Sequence, residues 1–323
     1  MSADGSQRFA VSVLGPIEVV GPEGSVDPGA RMPRLVLALL VANAGTTVSS
    51  ERLIDGLWAD HPPATARKTL QVHVSNLRRC LGDDFPIQTV RTGYCVDAAD
   101  IVIDADLFEQ EIARAEELLT ESPTESAELL RSALARWNGP AYADLADDDA
   151  IRPTATRLTE LRLTALERRI DLDLRLGRHG TVLGELESLT IDHPYRERLR
   201  ALHMIALYRS GRQTDALRSY DRTRRVLADE LGIDPAAELR ELHQQILDHA
   251  PELDLDPAAQ GAAGRDEPVL SGPAVRAPDD HGSSAGEREP VDDARQWSIR
   301  GYELREQLGR RNGVVVHRAY QAS

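Results

Sequence analysis

Lysine is nearly missing from this chain: of 38 basic residues only Lys68 is a lysine, the rest being arginines. A P-loop nucleotide site needs a Gly-Lys-Ser/Thr step, and a protein kinase needs a phosphate-pairing lysine on a strand. With the single lysine lodged in a basic stretch, neither activity is expected. Cysteine is almost as scarce. Cys80 and Cys95 form no CxxC or other metal-type spacing, so both are expected as small reduced side chains rather than a disulfide or a ligand pair. The nine histidines include no H-E-x-x-H pattern, so no zinc site is expected, and with it no catalytic residue, metal or cofactor. Aromatic residues make up 4% of the chain, which leaves the core to Leu, Val, Ile and Ala and favours helices. No apolar run reaches the roughly 18 residues of a membrane span. The start, MSADGSQR, lacks the apolar core of a signal peptide. The expected location is therefore cytoplasmic, at the nucleoid, with no membrane partner.

One stretch stands out against the net charge of −15. Between Ala64 and Leu81 the chain carries Arg67, Lys68, Arg78 and Arg79 and no acid. At 100° per residue, Leu70, Val74, Leu77 and Leu81 fall in one narrow sector, while Lys68, Gln71, Val72, Ser75 and Arg79 point the opposite way. Such a helix buries one stripe and offers the other to a DNA groove. Gln71, Ser75 and Lys68 are the base-edge candidates, since glutamine can bond bidentately to adenine, and Val72 can press on a thymine methyl group. Arg67, Arg78, Arg79, Arg91 and Thr92 are placed for backbone phosphates, which position a protein without reading sequence. Arg78 can equally make an internal ion pair. His73 lies beside the apolar stripe and is expected to pack rather than react. The same pattern fits a solvated cationic face, but its helical spacing, the preceding Pro62-Pro63 and a following hairpin agree on DNA.

The flanking order supports that reading. Phe9–Leu14 and Ile17–Val20 read as strands ahead of a Gly21-Pro22-Glu23-Gly24 turn. A helix follows from about Pro33 to Asn43, and a second, Glu51 to Trp58, has Ser49 or Ser50 as its cap. After the basic helix, Ile87–Val90 and Tyr94–Val96 enclose Arg91-Thr92-Gly93 as a hairpin. Sheet, three helices and hairpin make a winged helix over residues 1–98. From 104 to 250 the chain is a succession of amphipathic helices. Leu176-Gly177-Arg178 recurs as Ser210-Gly211-Arg212, a 34-residue period typical of tetratricopeptide helix pairs. Ala216 and Tyr220 occupy the small and aromatic places of that motif, with Val182 standing where Ala216 would align in the first copy. Residues 251–295, rich in Pro, Gly, Ala and Asp, read as a disordered linker. Residues 296–323 look like the first strands of a kinase N-lobe, a remnant or truncated start in which only Gly309 fits the glycine loop. Residues 1–98 carry a formal charge of −1, leaving −14 on the remainder, so the helical half should repel DNA and instead offer grooves to a protein or small-molecule effector.

Lys68–Arg79 followed by Val90-Arg-Thr-Gly-Tyr94 resembles the recognition helix and wing of OmpR-type DNA-binding domains; with the first strand at about Phe9, no receiver domain is expected ahead of it. Over residues 9–250 the chain resembles the antibiotic regulatory protein (SARP) family of actinomycetes. The match is carried by Pro33-Arg34, Leu53-Ile54 with Leu57-Trp58, Pro62–Gln71, Leu77-Arg78-Arg79, Trp137-Asn-Gly-Pro140, Leu161-Arg-Leu163, His193-Pro194, Ala206–Arg212 and Glu230-Leu-Gly-Ile-Asp-Pro235. The implied fold is mainly α with a small β component: an OmpR-like winged helix-turn-helix, then an all-α tetratricopeptide-like bacterial transcriptional activation domain. The implied function is a transcriptional activator of secondary-metabolite (antibiotic) biosynthesis that binds promoter direct repeats and contacts RNA polymerase and its sigma factor; whether it forms a homodimer on DNA or in solution is left open by the sequence. Met32 stands where relatives often carry lysine and Asn76 where they often carry arginine, and the wing tip is short, so modest intrinsic affinity is expected. The Trp58–Thr65 loop serves either as a polymerase contact or as a plain turn. Two other readings stay open: a tetratricopeptide-like adaptor with a vestigial winged helix, and a fragment of a larger kinase-like or ATPase regulator.

Overall fold

A computed structural model describes residues 9–255 and the strands Tyr302–Arg311 and Val314–Gln321. Three short strands open the chain, β1 (Phe9–Ser12), β2 (Glu18–Gly21) and β3 (Gly24–Val26). Helix α1 (Arg31–Val41), strand β4 (Val48–Ser49), helix α2 (Ser50–Trp58) and helix α3 (Ala66–Leu81) follow, then the hairpin β5 (Ile87–Val90) and β6 (Gly93–Val96). The hairpin and β4 form a sheet in the order β4-β6-β5. Ser49 caps α2, its hydroxyl accepting the Arg52 N–H at 3.1 Å. A further strand, β7 (Ile101–Ile103), runs parallel to β1 and completes the first sheet as β3-β2-β1-β7. Strands β3, β4 and β7, of three, two and three residues, are absent from the sequence reading. So short a segment shows no alternation, and pairing alone makes it a strand.

Among the described residues seven α-helices follow: α4 (Asp104–Glu117), α5 (Pro123–Leu134), α6 (Arg152–Arg175), α7 (His179–Asp192), α8 (Glu197–Arg209), α9 (Gln213–Val226) and α10 (Ala237–Leu247). A π-helical turn, Leu227–Leu231, prolongs α9. The 34-residue repeat is visible in the backbone. The Gly177 N–H bonds Leu174 O and the Arg178 N–H bonds Asp173 O at 3.1 and 2.8 Å, while Gly211 bonds Tyr208 O and Arg212 bonds Leu207 O, both at 2.9 Å. Both glycines are left-handed, with φ of 77° and 72°, a conformation that penalises any β-carbon. Val182 and Ala216 are both buried.

The two halves share one core. Val11, Leu14, Ile17 and Leu37 pack in the same cluster as Phe108, Leu130, Tyr142 and Leu145. The carboxylate of Asp104, at the start of α4, accepts the N–H groups of Val13 and Leu14 at 2.8 and 3.1 Å. A strap after α5 runs back along the first sheet: the N–H groups of Asn138, Tyr142 and Ala143 bond Leu14 O, Val13 O and Gly15 O. Arg34 of α1 reaches both Asp27 and Asp144 at 2.8 Å, and Arg31 reaches Asp148 at 2.5 Å. Within the helical half, buried Asp173 gathers Arg131, Arg169 and Arg178 and so ties α5, α6 and the start of α7 together.

Residues 251–255, expected as the start of a linker, are instead packed on the helical half. Pro251–Leu253 forms a 3-10 turn, Leu253 is buried against α8–α10, and its carbonyl accepts the Arg209 Nε–H at 2.8 Å. An apolar leucine in a composition otherwise typical of linkers carried that anchor. The rest of the expected linker, 256–295, lies outside the described residues. Of the stretch expected as a kinase-like start, β8 (Tyr302–Arg311) and β9 (Val314–Gln321) pair antiparallel, with register shifts at Leu304/Glu306 and Gln307/Gly309. Residues 296–301 lie outside the described residues.

Candidate nucleic-acid interface

Helix α3 divides as its periodicity requires. Leu70, Val74, Leu77 and Leu81 are buried against α1 and α2, while Arg67, Lys68, Gln71, Val72, Ser75 and Arg79 are exposed. Val72, an apolar side chain, is 50% exposed on the polar face, where the fold gains nothing from it. The first turn of α3 holds Arg67 and Lys68 and no acid, and Thr65 makes no side-chain cap. Cations at the positive end of a helix dipole oppose its stability, so this end presents uncompensated positive charge to solvent.

The hairpin stands beside α3 and is fixed on two sides. Toward α3, the Arg78 guanidinium donates to Ile87 O at 2.9 Å and to Thr89 Oγ1 at 2.8 Å. Toward α2, the Ser50 N–H bonds Thr92 O at 2.9 Å, and Val48 and Ser49 pair with Tyr94 and Gly93. Gly93 is required by close approach: a β-carbon there would lie 2.0 Å from Val48 O. Arg91 and Thr92 are left exposed at the tip.

Arg78 therefore spends hydrogen bonds on the hairpin and forms no internal ion pair among the described residues. Arg79 donates to Asn76 Oδ1 at 3.0 Å, which aligns both along the helix. His73 is half-buried, 6.3 Å from the Trp58 ring, and burial pushes its pKa down, so the ring is neutral and packed. Thr89 escaped the sequence reading; it is exposed on the hairpin's outer strand although strand alternation groups it with buried Ile87, so only the tertiary contact with Arg78 reveals it.

The electrostatic contrast with the helical half is sharp. There arginines are mostly neutralised: Arg136 by Glu111, Arg196 by Glu160 and Glu167, Arg169 by Asp173 and Glu185. Arg67, Lys68 and Arg91 make no ion pair or side-chain hydrogen bond among the described residues. The interface thus concentrates unspent cations, two amides and one exposed apolar side chain on a helix and hairpin braced against each other.

Comparison with known proteins bears on this arrangement. Residues 31–96 match the family described as Transcriptional regulatory protein, C terminal, and residues 103–247 match the Bacterial transcriptional activator domain. The chain is 37% identical over 268 residues to the regulatory protein DnrI of Streptomyces peucetius, covering 78% of this chain and 98% of DnrI. It is 36% identical over 275 residues to the transcriptional regulatory protein EmbR of Mycobacterium tuberculosis, covering 83% and 71%. To the regulatory protein AfsR of Streptomyces griseus it is 39% identical over 243 residues, 75% of this chain but only 25% of AfsR, so it spans about a quarter of that relative. The structure of M. tuberculosis EmbR with a low-affinity phosphopeptide matches with a TM-score of 0.72 at 34% identity, over 80% of this chain and 70% of that one. With a winged helix and an activator domain in sequence, and an alignment spanning nearly all of DnrI, the chain belongs to the SARP family of transcriptional regulators.

Proposed function

We propose that this protein binds direct repeats in promoter DNA through α3 and the β5–β6 hairpin, and recruits RNA polymerase with its sigma factor to genes of antibiotic biosynthesis. The observation that carries the reading is the exposed, unneutralised face of α3 beside a hairpin that α3 itself holds in place. Gln71, Ser75 and Lys68 read base edges and Val72 meets a thymine methyl group. Arg67, Arg79, Arg91 and Thr92 hold phosphates. Arg78 joins them through the hairpin it positions. Residues 1–98 form the DNA-binding part and 104–250 the recruiting part, with a homodimer assembling on paired repeats in the cytoplasm. The Trp58–Thr65 loop, exposed from Ala59 onward, is a polymerase contact.

A mobility-shift titration with fragments upstream of neighbouring biosynthetic genes tests this. Lys68→Ala with Gln71→Ala is expected to abolish the specific shift, and Arg67→Ala to lower the salt slope of log K by about one unit across all sequences. A specific shift that survives the double substitution defeats the reading and favours an adaptor with a vestigial winged helix.

A further inference from the structure

A cavity of about 760 Å³ opens where the two halves meet, between α1, α2 and the loop that precedes α6. That is the size of a small-molecule site rather than of a packing defect. Leu39 and Ala42 beside α2, Leu57 and Trp58 of α2, and Ala150 of the loop give it an apolar wall. The three elements close on one another at Gly56, where a β-carbon would lie 2.9 Å from Leu39 Cδ1 and 3.2 Å from Ala150 Cβ. The lining continues to Ala59 and His61, at the start of the Trp58–Thr65 loop.

Asp148 is the odd member of this lining. Asp147, Asp148 and Asp149 follow one another, and an acidic run in a loop is ordinarily solvated, as Asp147 and Asp149 are. Asp148 instead is 8% exposed; its Oδ1 holds the Arg31 guanidinium at 2.5 Å, and its Oδ2 is buried with no partner among the described residues. A buried carboxylate oxygen that accepts nothing carries a desolvation cost, which an N–H donor recovers. Asn43 offers a second acceptor, since its amide donates to Leu39 O at 2.8 Å and leaves Oδ1 free. The neighbouring charges set the sign of the donor. Arg31 is committed to Asp148, and Asp149 to Arg152 at 2.6 Å. That leaves Arg52 against Asp55 and Asp147, none of them in an ion pair among the described residues, so the lining keeps a negative excess.

We propose that this joint is a binding site for a small organic cation, a primary amine or amidine carried on an apolar body. Its N–H groups bond Asp148 Oδ2 and Asn43 Oδ1, and its body lies on Leu39, Leu57 and Trp58, whose indole also attracts cations. The ligand touches α1 and α2 of the DNA-reading half and the 147–150 loop of the activating half, so occupancy ties the two together at the root of the Trp58–Thr65 loop. The site stands independently of the recruitment reading.

The test uses the full chain, with benzylamine and benzamidine as cationic probes and benzyl alcohol and benzoate as neutral and anionic controls of similar size. Calorimetric titration is expected to give both cations a dissociation constant of about 1 mM or tighter, with the controls about tenfold weaker or more. Bound cation should slow amide exchange over residues 55–61 and 147–150 and raise the melting temperature. Asp148→Asn, which removes the charge at nearly constant shape, and Ala42→Phe, which fills the cavity from the α1 side, should each weaken the cations about tenfold or more. If Asp148→Asn lowers the melting temperature too far for titration, Ala42→Phe and the control series decide. Absence of binding by both cations overturns the proposal. So does equal binding of benzyl alcohol, which makes the cavity an apolar slot, or preference for benzoate, which gives it to Arg52. Protection confined to other segments, or cation binding that Ala42→Phe leaves unchanged, overturns it too. Promoter DNA is not part of this measurement, so failure here leaves the proposed function standing.

Discussion

Gly93 and His203 show how single positions are constrained by what surrounds them. At Gly93 a β-carbon would also sit 2.8 Å from Ser49 Cα, and backbone cannot step aside as a side-chain tip can. Gly93→Ala is expected to cost about 1–3 kcal/mol in urea unfolding and to weaken promoter binding by loosening β4 from β6. His203 is 8% exposed, and its Nε2 has no partner among the described residues. Burial first, then the charges of Arg200, Arg212 and Arg222, push its pKa down to about 4. Unfolded histidine titrates near 6.5, so between about pH 6.5 and 4 only the unfolded chain takes up this proton. Stability from this group is therefore complete above pH 6.5 and falls by about 1 kcal/mol per unit on acidification toward 4. Urea midpoints at pH 7, 6 and 5 should show that slope, and His203→Gln should flatten it.

At the scale of elements, the interface depends on a pairing of helix with hairpin more than on either alone. Arg78 is the bridge, and Arg78→Ala removes both hydrogen bonds to β5. Partly exposed hydrogen bonds of this kind are worth about 0.5–1.5 kcal/mol each. The variant is expected to lose promoter affinity several-fold, while the fold persists because the buried stripe of α3 is untouched. Solvent exchange of the Thr89–Val90 amides should quicken in the same variant, a readout that loss of a phosphate contact alone would not produce. The glycine turns at Gly177 and Gly211 are the opposite case. Each is closed by its own local bonds, which is why the 34-residue repeat could be read directly from the chain.

For the molecule as a whole, the winged helix and α4–α6 are built as one body around a common core. Residues 1–98 taken alone would lose β7, the Asp104 cap on Val13 and Leu14, and the strap bonds from Asn138, Tyr142 and Ala143. That fragment is expected to unfold at markedly lower urea than a chain ending at residue 255, whose N-terminal sheet and α4 should melt in a single transition by circular dichroism and tyrosine fluorescence. Such rigid coupling also fixes how the α3 face is oriented relative to the helices that follow it, so a partner held on those helices meets DNA-bound protein in a set geometry.

The faces of α3, the order of helices and hairpin, the Ser49 cap and the repeat period were all legible in the residues, because each follows from spacing or turn chemistry within a few positions. The exposure of Val72 and Lys68 follows from the same periodicity. Tertiary structure alone decided that Ile101–Ile103 is a strand, that Arg78 braces a hairpin, that Leu253 closes the helical half and that Leu231 and Ile233 stay outside it. Those outcomes depend on partners far away in sequence, such as the 91 residues between Val13 and Asp104 or the 127 between Ile17 and Asp144. A local pattern carries no record of which distant group will arrive to satisfy a backbone N–H, or of which apolar side chain will be left without a neighbour.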